Sequence, residues 1–305
     1  MAAVLVTGGL GFTGRHIVRL LADSGHPVVS YNRDYAESEL PSVRAVQGEL
    51  YDIPRLLSVI REHKVTSIVH TAAMSHPTLS LDFPIATFAA NVEGTVAIYE
   101  AARLSGVQRI VNFSSETVYG RIDGAVSEKS PVNPSTPYAV TKVTTELLGD
   151  VYRQRFGIGV VSLRIAEVYG PGNKMPEILT DMLRALSKTN RFELDHGSDH
   201  YFNFIFTEDV ARAALAAVQA SGPFSGSVFN ISSDEYWRLA DVVELIKDCV
   251  FPGCSIRVGA GLMPDLDLQG PFDVTAARQE LGFSPSYGLK MGLQSYAKHL
   301  KSNPF

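Results

Sequence analysis

The sequence predicts an α/β fold, a doubly wound parallel sheet with a smaller C-terminal lobe, and three observations predict it. Short apolar, β-branched runs alternate with helical segments over the first 165 residues. A glycine-rich turn, with Gly8, Gly11 and Gly14, joins the first run to the first helix. Beyond about residue 170 the alternation loosens around Pro171, Gly172 and Pro176. Strands that alternate with helices need right-handed crossovers, which lay the strands parallel and cover the sheet on both faces.

The elements follow in order. The first strand runs from Ala3 to Val6, and after the glycine turn Ile17, Val18, Leu20 and Leu21 recur at helical spacing until Gly25. Val28, Val29 and Tyr31 mark a second strand and Val43 to Val46 a third, followed by a helix over 53–63. A strand at 67–71, a long helix over 83–106, a strand at 109–114, a helix over 138–156 and a strand at 159–165 continue the rhythm. The later part predicts a helix at 178–186, a β-prone stretch at 201–206, a helix at 208–220 and a strand at 228–231. Helices at 239–249, 274–281 and 289–300 complete it. This divides the chain into a sheet domain, 1–166, and a mainly separate lobe, 167–305, with sheet elements returning near 201–231.

Composition narrows the classes of function. The 305 residues carry 27 Lys and Arg against 32 Asp and Glu, a net charge of −5, which offers nucleic acid no basic footprint. No apolar run reaches the roughly 18 residues that a membrane span needs. The start lacks the basic region of a secretory leader, and Cys249 and Cys254 read as free, partly buried thiols. A cytoplasmic protein acting on a small molecule is the expectation.

The glycine turn carries the first chemistry. Without Cβ atoms the backbone approaches a pyrophosphate closely, and the helix start presents free N–H groups and the positive end of its dipole. Gly8, Gly11, Phe12, Thr13 and Gly14 are therefore candidate cofactor residues. With this spacing, Gly8-x-x-Gly11-x-x-Gly14, the sequence resembles the extended short-chain dehydrogenase/reductase superfamily of epimerases, dehydratases and reductases, from residue 4 to about 288. The resemblance implies a Rossmann-type domain and a nicotinamide dinucleotide.

It also implies a ribose contact at the end of the second strand. Asn32 stands where NAD-binding relatives usually carry Asp, and Arg33 follows. Loss of the carboxylate removes repulsion toward a 2′-phosphate and a guanidinium can bind one, so the expectation leans to NADP over NAD. Glu49 and Leu50 resemble the acidic–apolar pair beside adenine. Thr71, Ala72 and Ala73 resemble the strand end along which the dinucleotide lies. Asn91 sits in a stretch that resembles the helix motif in which Asn supports the active site, and Ile165 belongs to one that resembles the stretch closing over nicotinamide and substrate.

Tyr138 and Lys142 lie four apart, which on a helix places them on one face. A free phenol has a pKa near ~10. A nearby ammonium together with the positive ring of an oxidised cofactor favours phenolate, so that Tyr138 accepts a substrate proton. Upstream, Ser115 falls at the hydroxyl position of the related strand-end motif and would orient the reacting oxygen. Ser115, Tyr138 and Lys142 are the candidate catalytic set.

The expected substrate contacts are Met74, Ser75, Ser115, Glu116, Thr117, Glu167 and Phe202. Sugar-nucleotide dehydratases place Asp and Glu after the catalytic hydroxyl, whereas Glu116 is followed by Thr117, so elimination of water is disfavoured. Glu167 replaces an Asn, and Phe202 an Arg, that help relatives hold a nucleotide diphosphate. A smaller, uncharged or cationic substrate suits these two changes. The loop holding Asp195, His196, Asp199 and His200 is broken by Gly197, so no metal is expected. The function that follows is oxidoreduction between a secondary alcohol and a carbonyl on a sugar-like or other small substrate. The alternatives are a sugar epimerase with retained cofactor and a non-catalytic dinucleotide sensor. The resemblance also implies a homodimer.

Overall fold

The structure, a computed structural model, describes residues 2–221, 224 and 226–303. Its first six strands are β1 (Ala3–Thr7), β2 (Val28–Asn32), β3 (Val43–Gln47), β4 (Val65–His70), β5 (Arg109–Ser115) and β6 (Gly159–Ile165). The short strands β7 (Glu167–Tyr169), β8 (Arg191–Leu194), β9 (Tyr201–Phe202) and β10 (Phe204–Phe206) lie outside the main sheet. β11 (Val228–Ile231) returns to it, and β12 (Trp237–Arg238) and β13 (Ser255–Val258) do not. The main sheet has seven strands in the order β3-β2-β1-β4-β5-β6-β11, all parallel.

The first six strands thus reverse direction of progression between β1 and β4. In open α/β sheets the crevice at such a reversal, beyond the carboxyl ends of the strands, is the ligand site. All five residues of β1 are buried, which accounts for its continuous apolar run.

The helices are α1 (Phe12–Asp23), α2 (Ile53–Glu62), α3 (Leu79–Asp82), α4 (Pro84–Phe88), α5 (Gly94–Ser105), α6 (Pro137–Phe156), α7 (Ile178–Thr189), α8 (Thr207–Gln219), α9 (Leu239–Cys249) and α10 (Leu289–Ser302). Alternate residues of each strand feed opposite faces. Val4 and Val6 join a core with Ile17 and Leu21 of α1 and Val210 of α8, whereas Leu5 joins one with Leu56 of α2 and Ile98 of α5. A third core gathers Leu179 and Leu183 of α7, Val242 and Ile246 of α9, and Leu293 and Tyr296 of α10. α8 therefore packs beneath the sheet, although it follows the first strands of the lobe in sequence.

Two helical expectations gain detail. The predicted helix over 83–106 runs without interruption from Pro84 to Ser105 as α4, a π-helical turn at Ala89–Glu93 and α5, with the short α3 before it. Pro84 starts α4, and the wider turn carries Asn91. The segment at 274–281 is mostly a π-helical turn, Ala277–Leu281.

Candidate active site

One cavity of about 1380 Å³ follows the carboxyl ends of the strands from the glycine turn to the lobe. Gly8 has φ +71°, and a Cβ there would lie 3.0 Å from the backbone of Ala72. A Cβ on Gly14 would lie 2.0 Å from the Gly8 carbonyl oxygen, so only glycine lets α1 start this close to the turn. Gly11 caps α1 without a side-chain bond, and no acidic residue occupies its first turn. The first N–H groups of a twelve-residue helix thus face the cavity with no carboxylate competing for them. That cradle fits a pyrophosphate. Gly8, Gly11, Phe12 and Thr13 line it, whereas Gly14 lies behind as a packing residue.

The end of β2 departs from a simple ribose clamp. The Asn32 carboxamide is buried; its oxygen accepts from Leu10 N–H at 2.9 Å and its nitrogen donates to Ser30 Oγ at 2.9 Å. Asn32 lines the cavity, yet its side chain is committed to bracing the glycine turn. Arg33 is exposed at the cavity edge, 3.9 Å from Asp34. Glu49 and Leu50 also line this end.

Thr71, Ala72 and Ala73 continue the wall, with Thr71 Oγ1 donating to the Thr7 carbonyl at 2.7 Å. Asn91 does not line the cavity, which corrects its placing among the cofactor residues. Its carboxamide accepts from Met74 N–H at 2.8 Å and donates to the Met74 carbonyl at 3.1 Å and to Thr141 Oγ1 at 3.0 Å. Asn91 therefore fixes the Met74 backbone to the helix bearing Tyr138. Met74 and Ser75 line the cavity beside it.

Ser115, Tyr138 and Lys142 converge on this cavity together with Ile165. Thr136 caps α6 by accepting from Ala139 N–H, and the Tyr138 N–H donates to Ser80 Oγ at 3.0 Å. Ser115 Oγ accepts from Thr117 N–H at 3.2 Å and Thr117 Oγ1 at 3.0 Å, which leaves its own proton for a partner. The Lys142 ammonium donates to the Phe113 carbonyl at 2.6 Å and sits 5.4 Å from the Tyr138 ring centre.

Burial sets the proton affinities of the protein by itself. Burial pushes the Tyr138 phenol up to about 12; Ser115 pulls it down, while Glu167 and Glu116 add to the rise. Burial brings the Lys142 ammonium down to about 8, opposed by Glu146. In the protein by itself Tyr138 is a neutral phenol; the expected phenolate depends on the positive ring of the oxidised cofactor as well as on the ammonium.

Sequence reasoning missed the support beneath these groups. Glu146, one turn beyond Lys142, pairs with Arg164 at 2.7 Å and 2.9 Å and accepts from Ser114 Oγ at 2.5 Å. Both side chains of the ion pair are only 6% exposed, and Arg164 lies 4.7 Å over the Tyr119 ring. The pair ties α6 to β5 and β6, next to Ser115. The one available signal was Arg164 itself, a cation in an otherwise buried strand of apolar and small residues.

Glu116, Thr117, Glu167 and Phe202 all line the cavity. Glu116 and Glu167 are hydrogen-bonded to each other; burial and their mutual repulsion hold Glu116 well above the usual carboxyl range, and burial raises Glu167 to about 6. Glu177 was also missed. It caps α7, accepting from Leu179 N–H, Thr180 N–H and Thr180 Oγ1, and burial with the nearby Glu167 raises it to about 8. Phe202 stacks on Phe204, with ring centres 5.0 Å apart. Asp199 is engaged by Arg238 and the Gly261 N–H. Among the described residues no group of three or more His, Cys, Asp or Glu is arranged to hold a metal ion. No helix among them is long and apolar enough to cross a membrane.

The sequence pattern of the NAD dependent epimerase/dehydratase family matches residues 4–232. A UDP-glucose 4-epimerase of Mycolicibacterium smegmatis is 32% identical over 308 residues, covering 95% of each chain. A dTDP-D-glucose 4,6-dehydratase of Mus musculus is 29% identical over 262 residues, covering 80% of this chain and 73% of its own. Among solved structures, MoeE5 in complex with UDP-glucuronic acid and NAD superposes with a TM-score of 0.87 at 29% identity, covering 99% of both chains.

Proposed function

Because the chain belongs to the NAD-dependent epimerase/dehydratase family, and so to the extended short-chain dehydrogenase/reductase enzymes, we propose that it interconverts a secondary alcohol and a carbonyl on a sugar-like substrate by hydride transfer. The observation that carries this reading is the convergence of Ser115, Tyr138 and Lys142 on the cavity that begins at the glycine turn. The nicotinamide dinucleotide, when bound, accepts or returns the hydride. The open N-terminus of α1 suits its pyrophosphate, and the wall from Thr71 to Ala73 suits the body of the molecule. Ser115 offers its proton to the reacting oxygen. Tyr138, protonated at neutral pH, donates to a carbonyl oxygen in the reducing direction. In the oxidising direction it takes the alcohol proton once positive charge stands beside it. Lys142, held by the Phe113 carbonyl, keeps an ammonium next to both.

The test is Tyr138→Phe. Turnover should fall by about 10²–10⁴-fold while dinucleotide binding persists; unchanged turnover refutes the assignment. A redox-neutral epimerase is the second reading, favoured by the full-length likeness to an epimerase. It predicts cofactor that copurifies and no net absorbance change at the nicotinamide band during turnover.

Three finer points belong to the same proposal. The exposed Arg33 lets NADP bind as well as NAD, so Arg33→Ala should weaken NADP by about tenfold and leave NAD unchanged. A homodimer would cover the apolar surface of Leu81, Phe83 and Ile85 beside Val140, Leu147 and Val151 of α6, where Ile85 is 85% exposed. Light scattering should then give twice the chain mass, and a monomer refutes it. The free thiols of Cys249 and Cys254 suit a reducing, cytoplasmic location.

A further inference from the structure

From residue 167 onward the described residues lining the cavity include seven carboxyl side chains and, as the one lysine or arginine, Lys174. Lys174 is exposed. Of the two basic side chains at the cofactor end, Arg33 is exposed beside Asp34, and Arg15 lies against Gly172 at the start of the lobe. Arg15 is turned back on its own backbone, donating to the carbonyls of Gly11 and Leu10. Lys142 is bound to the Phe113 carbonyl. A nucleotide diphosphate reaching into the lobe would therefore meet Glu167, Glu177, Asp181 and Asp265, with Lys174 as the one lysine or arginine among the described lobe residues on its path.

Beside the Tyr138 hydroxyl the cavity presents Glu116 and Glu167 in contact with each other. Two carboxyls in contact share one proton, because both cannot ionise side by side. The titratable groups that interact with this pair from neighbouring elements bring no positive charge. Tyr138 of α6 is a neutral phenol, and Glu177 at the start of α7 is a further carboxyl. Phe202, only 6% exposed and stacked on Phe204, gives the neighbouring wall an apolar face. An ammonium group is the ligand that relieves this arrangement: it displaces the shared proton and bridges both carboxylates.

We propose that the substrate carries no diphosphate, and that an amino-bearing sugar or polyol binds with its ammonium between Glu116 and Glu167. This rests on the hydride-transfer reading and names the substrate class of that site. It sets the chain apart from relatives whose ligands are nucleotide sugars.

Calorimetric titration of the NAD-loaded protein with glucosamine, galactosamine, glucose and UDP-glucose tests it, in two buffers of different ionisation enthalpy. The amino sugars should bind at least about tenfold more tightly than glucose, the size of one charge-assisted bond, with release of a proton to buffer. UDP-glucose should not bind. Glu167→Asn and Glu116→Gln should each remove the preference and the proton release while NAD binding persists, so that either variant serves if the other fails to fold. Tighter binding of UDP-glucose than of the amino sugars overturns the inference, as does equal binding of glucosamine and glucose, or no binding of either amino sugar. Failure of the underlying reading looks different: amino sugars bind with proton release, yet Tyr138→Phe turns them over as fast as the unmodified protein.

Discussion

Glu146→Gln isolates the contribution of the buried ion pair behind the catalytic helix. The substitution keeps the shape of the side chain but removes its charge. It leaves the Arg164 guanidinium, 6% exposed, facing a neutral amide. Removing one partner of a buried pair costs about 3–5 kcal/mol, because the remaining charge loses both water and its counter-ion. At ~2.1 cal/mol/K per residue, 305 residues give an unfolding entropy of about 0.64 kcal/mol/K. The loss should therefore appear as a melting midpoint about 5–8 °C lower by circular dichroism. A second readout distinguishes this from generic loosening. Glu146 holds the Lys142 ammonium up against burial, so the variant should titrate Lys142 below its present pKa of about 8. The limb of the pH–rate profile governed by Lys142 should move to lower pH. Glu146→Gln/Arg164→Met, which removes both charges, should recover most of the stability. A midpoint within about 2 °C of the unmodified protein, or a double variant weaker than the single, would refute the reasoning.

Gly14→Ala should abolish dinucleotide binding measured by fluorescence quenching, since the added methyl would sit 2.0 Å from the Gly8 carbonyl oxygen and push the turn off α1. Asn91→Ala removes two hydrogen bonds to the Met74 backbone and one to Thr141 of α6; at about 1 kcal/mol each, the midpoint should fall while kcat drops more than dinucleotide affinity. Glu177 has a folded pKa of about 8 against an ordinary 4.5, so the folded state holds its proton where the unfolded state has lost it. Its contribution to stability is present below pH 4.5 and is lost as pH rises toward 8. Denaturant unfolding across that range should show a decline that is shallower in Glu177→Gln, and an unchanged slope would count against the buried-carboxyl assignment.

Much of this was readable in the residues, and the unread part has a common cause. The glycine turn, the strand endings and the Tyr138–Lys142 spacing are local, so side-chain period and backbone freedom place them. The π-helical turn within the helix over 83–106 left little trace, because the residues it serves are distant: Asn91, on that turn, bonds partners at positions 74 and 141. Glu146 with Arg164, and Glu116 with Glu167, join residues far apart in sequence; each reads by itself as an ordinary surface charge. The proton affinity of Tyr138 in the protein by itself was hidden for the same reason. Its nearest ionic neighbour in sequence is a lysine, but burial, the Ser115 hydroxyl and the carboxyl groups of Glu167 and Glu116 on other elements set its proton affinity.

The return of β11 to the sheet restricts how this protein can be divided or recombined. Its backbone pairs with β6 along Ser162 to Ile165, covering an edge that would otherwise offer free N–H and carbonyl groups. A fragment ending at residue 166 would expose that edge together with apolar side chains of α1 and β5, the elements α8 packs on, including Ile17 and Val111. Such a fragment should aggregate rather than persist as an autonomous cofactor-binding unit. A graft of new specificity accordingly has to enter as separate insertions, before α8 and after β11, and cannot be appended as a single C-terminal block.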